Sequence, residues 1–293
     1  MQNRFNLLIL LVFISISCIA QSQTPSAATI DSIKNARMDA AAILNPTLRQ
    51  VTVSTDIIGR AGMSGELQGN PLYKGDSRTI RTTVVVNMPV ATWGKNRFSL
   101  SGSFFQQEIT TDRLESTSAL LSQREFKFNK GTAGLTASFN RMDSLFGRPV
   151  FYMASATATT NDIHKVKRFS FLGTAVFPLK TTATTRLSTG LVVNIDPSLK
   201  VPAFIVFSYW HQFSNKIELN ITAPSSVGFR RAFSDRLWVN LGTTLGGSLA
   251  FFELNQPNLP RDANYTTIDL KTGAGVEYRV GKKMIFGASG GLL

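Results

Sequence analysis

From Gln50 onward, apolar and polar residues alternate in short segments separated by turn-forming residues. Ile80, Thr82, Val84, Val86 and Met88 fall in one phase, with Arg81, Thr83 and Asn87 in the other. Phe98, Leu100, Gly102 and Phe104 oppose Ser99, Ser101 and Ser103. Ala133, Leu135, Ala137 and Phe139 oppose Thr132, Gly134, Thr136, Ser138 and Asn140. The cleanest segment sets Ile268, Leu270, Ala274, Val276 and Tyr278 against Asp269, Lys271, Gly273, Gly275, Glu277 and Arg279. Side chains of a strand point alternately to its two faces, so each segment predicts a strand with one apolar and one wet face. A series of alternating runs of roughly ten residues predicts an antiparallel transmembrane β-barrel. A soluble sandwich has the same period; the two differ in which side is polar.

The connections favour the barrel. Trp93 to Asn96, Lys180 to Thr185, Ser214 to Lys216, Ser234 to Arg236 and Gly281 to Lys283 are short. Between them lie longer stretches at Gly62 to Gly75, Thr111 to Glu125, Thr159 to Lys167 and Gly246 to Asn264. Connections of intermediate length, Asp143 to Arg148 and Asp196 to Val201, keep the same parity. Short periplasmic turns alternating with long external loops are the barrel rule. Aromatic residues gather beside the short turns: Trp93, Phe98, Phe146, Phe177, Tyr209, Trp210, Phe213, Phe233, Trp238, Tyr278 and Phe286. Such a girdle is expected at a membrane interface. Polar-phase positions are often Gly, Ser, Thr or Asn, which suit a lumen with closely facing walls.

The expected fold class is therefore all-β, an antiparallel transmembrane β-barrel of about 12–14 strands. Counting gives about thirteen, the first near Val51 to Arg60 and the last at Met284 to Gly290. Bacterial single-chain barrels have even strand numbers. Many also end on an aromatic residue used by the barrel-insertion machinery, whereas this sequence ends Gly290-Gly291-Leu292-Leu293. The expectation is a barrel lacking its closing strand, with about fourteen strands in the complete protein.

The first residues read as a secretory signal. Arg4 is the positive n-region, Leu7 to Ile16 the apolar core, and Cys18 and Ala20 the small residues before a cleavage site. The domain reading is a signal peptide at 1–20, a periplasmic segment at 21–49 and an outer-membrane barrel at 50–293. Ile30 to Leu44 has weak helical character, with Ala40, Ala41 and Ala42 as helix formers. Cys18, the sole cysteine, is an alternative lipidation site, although Ser15 replaces the usual branched residue. Cleavage after Ala20 removes it, which excludes disulfides and cysteine-bound metal. Elsewhere no apolar run approaches the length of a spanning helix.

The net charge is +13, from 31 basic and 18 acidic residues. In an exported protein this excludes nucleic acid as the natural partner. It suits outer-membrane lipid and lipopolysaccharide phosphates, or an anion-favouring lumen, or a general solubilising excess over turns and loops.

Catalytic chemistry has little support. The two histidines, His164 in an external loop and His211 near a periplasmic turn, fall at opposite ends of the expected barrel and cannot share a metal or a triad. His164 beside a Ser or Asp is the sole hydrolase candidate. Asp262-Ala263-Asn264 lacks the glycine and distal glutamate of a calcium loop. No phosphate-cradling glycine loop is present, so no cofactor and no metal are expected. The functional lead is a set of lumen charges: Arg81, Asp269, Lys271, Glu277 and Arg279. Arg230 is also polar-phase, while Arg231 breaks the phase. Inward charges tune ion preference in a channel. The competing reading is an internal salt-bridge network, since Asp269 and Glu277 share strand and phase with Lys271 and Arg279.

The signal ending Ala20-Gln21, the strand series over 50–293, and Leu219-Asn220-Ile221-Thr222-Ala223-Pro224 followed by Val227-Gly228-Phe229-Arg230 carry a resemblance. The chain resembles a family of Gram-negative outer-membrane β-barrels known only as a domain of unknown function. The resemblance implies a barrel and supplies no catalytic residues. The expected function is an integral outer-membrane barrel, a passive pore or structural component and not an enzyme. The competing readings are an outer-membrane hydrolase on the external rim and an exported soluble β-sandwich that binds a ligand.

Overall fold

The computed structural model describes residues 49–67, 70–116, 127–162, 165–196, 202–213, 216–253, 262–281 and 284–293. The expected signal and cleavage site, Cys18, residues 21–48 and His164 lie outside the described residues.

Among the described residues the alternating segments become thirteen strands in one antiparallel sheet, each paired with its neighbour in sequence. They are β1 (Val51–Leu67), β2 (Asn70–Trp93), β3 (Asn96–Ser116), β4 (Lys127–Leu145), β5 (Arg148–Thr160), β6 (Arg168–Thr181) and β7 (Thr185–Ile195). Then follow β8 (Ala203–Gln212), β9 (Ile217–Ala223), β10 (Ser226–Ala232), β11 (Leu237–Glu253), β12 (Asp262–Val280) and β13 (Met284–Leu292). The architecture is thus all-β and a pure meander, with the strand number the alternation predicts.

Turn chemistry fixes the register at the short-turn end. Leu145 pairs with Arg148 across two residues, Phe146 and Gly147, at φ 52° and 73°. Two successive left-handed residues match the twist of a two-residue hairpin.

Two of the stretches expected as long loops at the other end, 62–75 and 246–264, are largely taken up by strand pairing, while 159–167 and most of 111–125 lie between strands. β1 and β2 stay paired up to Leu67 and Asn70, and β11 and β12 up to Glu253 and Asp262. β9 and β10 meet across Pro224 and Ser225 alone. β3 and β4 remain ten residues apart in sequence, β5 and β6 seven, β7 and β8 seven, and β11 and β12 eight, so the asymmetry between the ends lies in hairpin length as well as in loop length. β2 runs 24 residues, far beyond the ~9–11 a tilted strand needs to cross a bilayer. Thr and Tyr in these arms keep the ladder going because a paired backbone needs no loop-specific residues.

Hydrogen bonding does not close the sheet: β1 and β13 are its edges. The sheet nevertheless curls back on itself. β4 and β11 come within 8 Å of each other, backbone to backbone. Side chains of β12 reach β1 and β2. Glycine permits the tight packing between neighbours: a Cβ on Gly242 would sit 2.5 Å from the Val227 carbonyl oxygen.

The two faces have opposite polarity. Along β12, Ile268, Leu270, Val276, Tyr278 and Val280 are exposed, with Ile268 at 81%, while Asp269, Lys271, Glu277 and Arg279 are half-buried. The shielded residues include the polar Thr79, Arg81, Gln107, Thr111 and Thr132 beside the apolar Ile109, Val150, Val192 and Trp238. The convex face is apolar and the concave face polar, the reverse of a soluble core.

Candidate functional site: the charged concave face

Register places the inward charges of β1, β2 and β12. Arg81 on β2 stands beside Asp56 on β1 and Gln107 on β3. Asp269 and Lys271 project from β12 on the same inner face. Arg81 bonds Asp269, and both are shielded, at 7% and 10% exposure. Lys271 Nζ donates to Asp56 Oδ2 at 2.5 Å. These four form a charge-balanced quartet joining the two ends of the sheet. Next to it, Gln107 is 1% exposed and neither atom of its amide has a hydrogen-bond partner among the described residues.

A second inward group lies eight residues along β12, about 27 Å away at the strand rise. It crosses six adjacent strands near the short turns. On β7, Arg186 stacks over Trp210 of β8 at 4.9 Å from the ring centroid. The Trp210 indole Nε1 donates to Glu218 Oε2 of β9 at 3.3 Å. Glu218 is cross-strand partner to Arg230 of β10. Arg230 donates to Glu277 at 3.4 Å and lies 5.0 Å from the Trp238 ring of β11. Arg279 lies 6.0 Å from the same ring.

The sequence-derived charges thus divide between two clusters. Arg81 and Asp269 come together. Lys271 meets Asp56, Glu277 meets Arg230, and Arg279 meets Trp238. The pairing expected within β12 is replaced by pairing between strands, because residues two apart in a strand stand about 7 Å from each other. Asp56, Arg186 and Glu218 were not among the candidates; phase within their strands was the available signal. Trp210 and Trp238 face inward, correcting their place in the girdle. Phase settles this too, since adjacent Tyr209 and Trp210 must point to opposite faces.

The outward face near the short turns keeps Tyr209, His211 and Phe213 in a row. The His211 ring stacks on Tyr209 at 6.2 Å and meets the edge of Phe213 at 4.6 Å. Its Nδ1 shares a 2.9 Å hydrogen bond with the Thr185 hydroxyl. Trp93 packs against Phe139 at 6.1 Å, and Arg231 over Phe233 at 4.9 Å.

Charge marks both limits of the apolar face. Past Phe139, Asp143 accepts from Arg141 at 2.9 and 2.5 Å and from Lys95 at 3.2 Å. Bonds from Arg141, then from the Ser144 amide and Lys95, hold the Asp143 carboxyl down at about 2. Past Phe104, the outward positions turn polar: Gln106 bonds Asn129 at 3.0 Å, and Glu108 pairs with Lys127 at 2.7 Å. Among the described residues no three His, Cys, Asp or Glu side chains are grouped to hold a metal.

Compared with family models, curated proteins and solved structures, the chain matches none.

Proposed function

We propose that this chain is an integral outer-membrane β-barrel, a passive pore or structural component that performs no catalytic step. The observation that carries the reading is the inverted polarity of the sheet. An exposed apolar face is costly in water and favourable against lipid hydrocarbon. A polar, ion-paired concave face suits an interior that holds water.

The dimensions of β3 support the same reading, whereas β9 and β10 have seven residues each. On β3 the outward face is apolar between Asn96 and Gln106, which leaves residues 97–105 as the crossing, nine in all. A tilted transmembrane strand needs about 9–11. Outward threonines pair with one another, Thr55 with Thr82 at 3.2 Å beside Gln106 and Thr243 with Thr272 at 2.9 Å. Pairing satisfies hydroxyls that hydrocarbon would leave without partners. Tyr209, His211, Phe213 and Phe233 then lie where headgroups begin, and the basic excess faces lipid and lipopolysaccharide phosphates. On this reading the short turns are periplasmic and the projecting hairpins external, with insertion by the outer-membrane assembly machinery.

Sodium carbonate washing tests the reading. The protein is expected to stay with the membrane pellet and to migrate faster on gels before boiling than after. Release by carbonate would refute membrane integration.

A further inference from the structure

We propose that Arg230, Trp238 and Arg279 form an inward-facing site for a small soluble oxyanion of the phosphate type. The proposal rests on the reading that the polar face encloses an aqueous interior. Both guanidinium groups are held against one indole, 5.0 and 6.0 Å from its centroid, and Trp238 is only 8% exposed. Arg230 also reaches Glu277, at a long 3.4 Å. Arg279 makes no ion pair among the described residues, and its Nε is buried without a hydrogen-bond partner. A guanidinium so placed retains donors aimed at the interior and a charge that is costly to leave uncompensated.

The neighbourhood has the same sign. Across β7 to β12 the belt holds Arg186, Arg230 and Arg279 against Glu218 and Glu277, three cations to two anions. The planar fork of arginine matches two oxygens of a phosphate or carboxylate, and bonds to a charged oxyanion are the strong ones. The indole fixes both forks in place, which reduces the ordering lost on binding. The belt points away from the apolar face, so a lipid headgroup does not reach it.

The test is calorimetric titration of inorganic phosphate into the full chain folded in detergent micelles, at constant ionic strength set with sodium chloride. Saturable binding is expected, weakened at least tenfold in Arg279→Gln and in Arg230→Gln. Arg279→Lys, which keeps the charge and the fold but loses the fork, is expected to weaken binding several-fold. Absence of saturable binding in the wild type would overturn the site, and so would wild-type affinity in both Arg279 variants. Gel migration of each sample separates the two claims. A heat-modifiable protein that ignores phosphate loses the anion site and keeps the barrel. A carbonate-released protein loses the barrel, and its phosphate titration still decides the site.

Discussion

Lys271 Nζ lies 2.5 Å from the Asp56 carboxylate although 215 residues separate them in sequence. The contact links β12 to β1 inside a sheet whose backbone leaves those edges unjoined. Both side chains are partly exposed, so the pair is worth about 0.2–1 kcal/mol. Asp56→Lys replaces the attraction with repulsion and is expected to lower the urea midpoint of the folded protein in detergent. The double exchange Asp56→Lys with Lys271→Asp is expected to recover most of the loss. Equal losses in the single and double variants would show that the contact holds nothing together.

Arg81 and Asp269 make the opposite case, because both are shielded. Breaking a buried pair strands one charge and costs about 3–5 kcal/mol. Arg81→Met and Asp269→Asn should each produce a loss of that size by equilibrium unfolding. Arg81→Met combined with Asp269→Leu should be less destabilised than either single variant, since an apolar replacement of both partners strands nothing. Additive losses would contradict the pairing.

Asp143 should titrate at about 2, well below its ordinary 3.8. A depressed carboxyl contributes stability that is complete above the ordinary value and is lost as pH falls from about 4 through about 2. The cluster should therefore be intact throughout the neutral and mildly acidic range. Carboxyl-carbon NMR of selectively labelled protein reads the midpoint directly. Arg141→Gln removes the first cause of the depression, so its midpoint should rise toward 3.8.

Much of this architecture is legible in the sequence. Strand number, strand phase and the short-turn end follow from a two-residue period and from residues such as Gly94 and Gly147 that permit tight reversals. The pairing of the charges was not legible. Arg81 finds Asp269 because the sheet curls, and curvature is a property of the whole sheet, absent from any one strand. Hairpin length was hidden as well. Gly62, Ser64, Gly65, Asn70 and Pro71 carry turn character, yet the β1–β2 ladder continues to Leu67 and Asn70 with one register shift between Gly65 and Glu66. Trp238 was misread for a different reason. Proximity to a turn was allowed to outweigh its phase with Asn240 and Gly242, although the pleat leaves no freedom on that point.

The central claim is that the apolar face meets lipid and the polar face meets water. Nitroxide labels placed one at a time at positions 268 to 278 of β12, in a chain whose single native cysteine is Cys18, test it most directly. Collision with oxygen, which concentrates in hydrocarbon, should peak at 268, 270, 274 and 276 in reconstituted vesicles. Collision with a water-soluble nickel chelate should be lowest at those same positions. Chelate access at all the even positions, as on a protein surrounded by water, would contradict the account.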